Sequence, residues 1–205
     1  MPVNPKERII RTALQVFLRE GYEGAALNEI VRRAGLSKGG VYHHFSSKEE
    51  LFREALTFIM DGMEKWSIAY FRDCDSAKDL VHSLFRSMKP MRDAFGAILG
   101  QNASRARYSF LEILLHAARK QETVRRRMEE IYACARENLR AELRKGQERQ
   151  EIRSDIDCEA LSFEINALIE GTLLLSILDA SIDLDTQGER MFENLWKTIS
   201  VESQS

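Results

Sequence analysis

Apolar residues recur at intervals of three and four along most of the 205-residue chain, the spacing of helices with one buried face. Ile9, Ile10, Ala13, Leu14 and Phe17 form the first stripe. Asn4 is placed to cap it, with Pro5 at the first position, Glu7 three residues after the cap and Gly21 as its end. Leu27, Ile30, Val31 and Ala34 form a short second stripe that stops at Gly35, where a left-handed residue ends a helix at little steric cost. Ser37 can cap a third helix, in which Val41 and Phe45 lie four apart and point inward. Ser47 and Glu50 make a capping box for a long fourth helix through Leu51, Phe52, Ala55, Leu56, Ile59 and Met63, expected to reach about Tyr70.

From about Asp75 onward the pattern predicts helix after helix. One covers 76–87, with Pro90 expected to interrupt it. Another covers 105–120, with Phe110, Leu111, Leu114 and Leu115 inward. A long charged helix runs from 122 to about 149 on the stripe Val124, Met128, Ile131, Ala135, Leu139 and Leu143, its charges forming a solvated face. Residues 152–157 read as a surface connection, Asp157 caps 158–178, and 186–201 is the last helix. Segment 158–178 is apolar on most of its circumference, so it must be buried on more than one side. It is either a central core helix or one that packs on its own core and on a partner subunit. Gly171 and Thr172 are small enough to admit a second helix. With three prolines and no Val/Thr-rich alternating segment, the expected class is all-α.

Hydrophobic content of 44% and charged content of 30% suit a globular protein. The net charge of −2 says little, but its distribution changes the picture: residues 1–48 carry +4 and the rest −6. A basic end on an acidic body suits a protein that presents one surface to phosphates. No apolar run is read as approaching the roughly 18–20 residues that cross a bilayer, and the start lacks a secretory apolar stretch. A cytoplasmic protein without a membrane segment is expected. Cys74, Cys134 and Cys158 read as reduced, structural thiols. Neither they nor His43, His44, His82 and His116 show metal-ligand spacing, so no metal or cofactor is expected. His82 reads as a partly buried structural histidine, with a ligand contact as the other reading.

Residues 30–48 combine a short helix, a turn at Gly35 and a second short helix carrying Lys38, Tyr42, His43 and His44, which can reach phosphates and base edges. This is a helix-turn-helix whose second helix fits a DNA major groove. Arg8–Leu14 with Phe17 and Gly21-Tyr22, then Glu29-Ile30, Ala34–Gly39, Val41–Phe45 and Ser47–Leu51 carry a specific likeness. Over residues 5–56 the chain resembles the DNA-binding domain of the tetracycline-repressor (TetR) family of bacterial transcription regulators. It departs from the family at Ala25 and Ala26, where members usually have Ser or Thr, while the acid three positions on, Glu29, is kept. Half a capping box, and a hydroxyl often used on phosphate, are absent.

The resemblance implies an N-terminal three-helix DNA-binding domain with a helix-turn-helix (5–65), followed by a larger helical ligand-binding and dimerisation domain (66–205). Base reading is expected from Asn28, Ser37, Lys38, Gly39, Gly40 and His43. Tyr42 and Lys48 match positions that clamp phosphates, and His44 either contacts phosphate or packs beneath the helix. Expected partners are double-stranded operator DNA, a second subunit through 157–178 and 186–201, and an unidentified small-molecule effector. Effector candidates are Trp66, Met88, Phe95, Asn102, Arg105, Tyr108, Phe110 and Asn166, although such apolar stripes also read as plain core. An enzyme needs a nucleophile with its base, a metal cluster or a phosphate loop, and the sequence presents none; Gly39-Gly40 lacks the phosphate-loop spacing. A helical ligand carrier without DNA leaves the basic 38–48 surface unexplained. The function expected is therefore a dimeric, ligand-responsive repressor acting on a palindromic operator, an activator having the same parts.

Overall fold

In the computed structural model, which describes residues 4–72, 74–99 and 113–201, every regular element is a helix. These are α1 Pro5–Gly24, α2 Leu27–Ala34, α3 Lys38–His44, α4 Lys48–Arg72, α5 Ala77–Arg86 and α6 Met88–Leu99. Helical residues 113–120 (α7) precede α8 Glu122–Glu148, α9 Cys158–Leu178 and α10 Leu184–Ile199. The chain forms two compact units. One comprises Met1–Met63 and Ala94–Glu129, the other Glu64–Asp93 and Glu130–Ser205. The described residues of 94–129 thus cluster with the N-terminal helices.

The first unit is built on the expected stripes. Ile9, Ala13, Leu14 and Phe17 of α1, Ile30 and Ala34 of α2, Val41 of α3, and Leu51, Phe52, Ala55 and Leu56 of α4 are buried. Asn4 caps α1 by accepting from the Lys6 N–H. Gly21, at φ 71°, kinks the helix, and one further turn reaches Gly24. On α7, Ile113, Leu114 and Ala117 are buried, Leu114 as expected, while Leu115, also expected inward, is exposed.

The second unit has its core among Leu80, Val81, Phe85 and Met88, Leu139 and Leu143 of α8, Leu161 and Ile165 of α9, and Phe192 of α10. Three sequence expectations need correction. Pro90 does not end a helix: α5 stops at Arg86, Ser87 forms the break, and Pro90 sits in the first turn of α6, where a missing N–H loses no helical bond. The 152–157 connection is not a simple surface loop. Ile152 is fully buried and bridges Ser200, Gln147 donates to the carbonyls of Arg153 and Ile156, and the Glu151 carboxylate accepts from the Ala77 N–H at the start of α5. Lastly, α9, at 21 residues and mean hydropathy 1.5, is long and apolar enough to cross a membrane by length and composition. Its place is in a core: Leu161, Ile165, Ile169 and Leu173, each four apart, are buried, and exposed Glu159, Glu164 and Glu170 interrupt the apolar surface.

Candidate nucleic-acid interface

The turn between α2 and α3 forms because Gly35 takes the left-handed conformation (φ 63°, ψ 37°). There the N–H of Gly35 donates to Arg32 O and that of Leu36 to Val31 O. Ser37 then caps α3, its Oγ accepting from the Gly40 N–H at 3.1 Å. Val41 and Phe45 are almost wholly buried and fix the rotation of this seven-residue helix. That rotation turns Lys38, Gly39, Tyr42 and His43 to the surface, with Ser37 exposed at the helix start and Asn28 exposed on α2. Gly40 and His44 are half-buried. The Lys38 ammonium lies 5.8 Å from the centre of the Tyr42 ring. His44 has His43 and Phe45 as ring neighbours, at 5.2 and 6.3 Å.

The arginines of α2 are partly committed within the protein. Glu29 accepts from Arg32 (2.7 and 3.0 Å) and from Arg33 (2.6 Å), with Arg19 3.9 Å away. The Arg32 and Arg33 hydrogen bonds hold its carboxyl at about 2, so it stays ionised at neutral pH. Deprived of a hydroxyl partner at Ala26, this acid serves as an anchor for guanidinium groups; α2 has no side-chain cap. At the start of α4, Ser47 Oγ accepts from the Glu50 N–H. The reciprocal arm of the capping box reaches one residue further than expected: Glu50 accepts from the N–H and hydroxyl of Ser46, which lower its pKa. Lys48 donates to the Glu23 carbonyl at 3.3 Å and sits 4.7 Å from the centre of the Tyr22 ring. Sequence reasoning did not connect Tyr22 with Lys48. The Gly21-Tyr22 pair was visible, but the contact spans more than twenty residues and leaves no periodic trace.

The expected effector residues fare unevenly. Trp66 and Phe95 lie on α4 and α6 with their side chains outside the described ones, and Asn102, Arg105, Tyr108 and Phe110 lie outside the described residues. Met88 is fully buried in the second unit's core, close to Gly188, and acts as core filling. Asn166 is half-buried on α9, and its Nδ2 is buried with no hydrogen-bond partner. Tyr132 donates to Glu170 at 3.1 Å, and burial, then the Glu170 charge, pushes its hydroxyl above the ordinary range. The second unit also has a charged cleft of about 630 Å³ lined by Asp79, His82, Ser83, Arg86, Ser87, Lys89, Pro90, Asp93 and Asp185. There His82 meets the Glu189 carboxylate at 2.9 Å and packs on Phe192 at 4.3 Å, which is the structural reading of that histidine. Among the described residues no cluster of three His, Cys, Asp or Glu could hold a metal ion.

Two family models match the chain. "Bacterial regulatory proteins, tetR family" covers residues 9–55, and "Tetracyclin repressor-like, C-terminal domain" covers residues 110–192. The HTH-type transcriptional repressor AcnR of Corynebacterium efficiens is 24% identical over 173 residues, 83% of this chain and 80% of that protein. The HTH-type transcriptional regulator QacR of Staphylococcus aureus is 41% identical over 54 residues, which span 26% of this chain and 29% of QacR. Among solved structures, a transcriptional regulator from Saccharomonospora viridis in complex with choline superposes with a TM-score of 0.77 at 20% identity, covering 96% of this chain and 98% of that one. At that identity the likeness concerns the fold.

Proposed function

The chain belongs to the TetR family of bacterial regulatory proteins and is a DNA-binding transcriptional regulator, not an enzyme; we propose that it is a ligand-responsive repressor that binds a palindromic operator as a homodimer. The observation that carries this reading is α3. Its buried Val41 and Phe45 leave a surface of Lys38, Gly39, Tyr42 and His43 that fits a major groove. Lys38 donates to guanine O6 and N7, Asn28, Ser37 and His43 reach neighbouring base edges, and Gly39 and Gly40 admit close approach to a thymine methyl. Tyr42, His44 and Lys48 contact the phosphates on either side. In this reading residues 5–65 carry DNA binding, residues 66–205 carry effector binding and dimerisation, and the protein works in the cytoplasm.

Repression is favoured by AcnR, which is named a repressor, and a small organic effector by the choline complex of the Saccharomonospora viridis protein. Asn166, with its unpartnered amide, is the described polar group best suited to meet such an effector. The effector weakens operator binding by preferring the DNA-incompetent state. The test is fluorescence anisotropy with DNA from upstream of the protein's own gene. Tight, sequence-selective binding is expected, and Lys38→Ala should lose about 1–3 kcal/mol at one base pair of each half-site. An equal loss on every sequence would move Lys38 to the phosphates, and failure to bind any duplex would sink the reading.

A further inference from the structure

We propose that Tyr22 is a positioning residue for DNA binding: its ring, buttressed by His116, and the neighbouring Glu23 carbonyl hold the Lys48 ammonium where it meets a phosphate. The inference rests on Lys48 being the phosphate contact named above.

Lys48 is a poor choice for helix stability. It is the first residue of α4, where the positive end of the helix dipole disfavours a cation and where Glu49 and Glu50 follow. Its ammonium is nonetheless held from two sides, by the Tyr22 ring at 4.7 Å and by the Glu23 carbonyl at 3.3 Å. One of its three N–H donors serves the carbonyl, which leaves donors for an incoming anion. A lysine side chain has many rotamers, and holding it in place before binding lowers the entropy lost when the contact forms.

The holding groups are themselves placed by the fold. Gly21 at φ 71° kinks α1 just before Tyr22. The Tyr22 ring then packs on Phe52 at 4.7 Å and on Phe17 at 6.0 Å. From α7, in the same compact unit, the His116 ring lies 6.5 Å away at an interplanar angle of 31°. Lys120 pairs with Glu23 at 3.8 Å, but both side chains are well exposed, so this pair adds little. Among the described residues, His116 is thus a ring neighbour that reaches Tyr22 from outside α1–α4.

The test uses the full chain and a random-sequence duplex, with affinity measured across a salt series. Lys48→Ala should lower the salt slope by about 0.9, the value for one phosphate contact. Tyr22→Leu should weaken binding about two- to fivefold, the scale of an exposed cation–π contact, while Tyr22→Phe keeps wild-type affinity. In the Lys48→Ala background, Tyr22→Leu should change nothing further. His116→Ala should show the same dependence on Lys48 with a smaller loss, and it carries the test if Tyr22→Leu does not fold. Equal losses from Tyr22→Leu or His116→Ala with and without Lys48 would mean a general structural role and overturn the proposal. An unchanged slope in Lys48→Ala alone would instead overturn the phosphate assignment on which the proposal rests.

Discussion

Gly188 has no room for a side chain. A Cβ there would stand 2.8 Å from the Phe85 carbonyl oxygen and 3.1 Å from Met88 Cε. The first is a backbone atom, so relief requires α5 and α10 to move apart, which opens a packed core. Gly188→Ala should destabilise the protein by about 1–3 kcal/mol, seen as a lower midpoint in thermal unfolding. An unchanged midpoint would mean that the two helices are not in this close contact. Gly171, by contrast, has nothing within 4 Å of its would-be Cβ. Two glycines that look alike in the sequence thus differ in what they permit. The difference comes entirely from which helix lies opposite.

At the scale of elements, α2 is the incomplete one. Ala26 already has the backbone of a cap residue (φ −88°, ψ 129°) but no side-chain oxygen for the free N–H groups that follow. Ala26→Ser should stabilise the protein by about 1 kcal/mol and raise the unfolding midpoint. No rise would show that Glu29, held by Arg32 and Arg33, already secures this helix end. The caps of α1, α3, α4 and α9 were legible because they are local: Asn4, Ser37, Ser47 and Asp157 all act within three residues of themselves. The start of α5 was not fully legible. Beside Ser76, the Glu151 carboxylate takes the Ala77 N–H from 74 residues away.

For the whole molecule, the proposed assembly turns on α9. Leu168, Gly171, Leu175 and Leu178 follow one another at intervals of three, four and three, and so share a face. The three leucines are exposed, Leu178 by 68%, although Leu161, Ile165, Ile169 and Leu173 bury the adjoining side. Phe192, within the 186–201 segment expected at a dimer interface, is buried in its own subunit's core. Leu175→Glu should dissociate the proposed dimer and weaken operator binding while leaving the helical content unchanged, measured by sedimentation and circular dichroism. Gly171→Arg should act likewise by blocking close approach. Wild-type protein sedimenting as a monomer at micromolar concentration, or both variants dimerising normally, would sink the proposal.

The helical class, the turn at Gly35, the capped α3 and the residues it exposes can all be read from the sequence, because helix periodicity, glycine stops and serine caps act over a few residues. The remaining features come from packing between distant segments. It chose which side of α9 is covered, since a helix apolar on most of its circumference has little in its sequence to orient it. It buried Ile152, left Leu115 of α7 exposed, and gathered the described residues of 94–129 with the N-terminal helices. It also laid Lys48 over Tyr22. Each of these depends on a partner many residues away, and spacing along a chain fixes which face a residue takes but not what that face will meet.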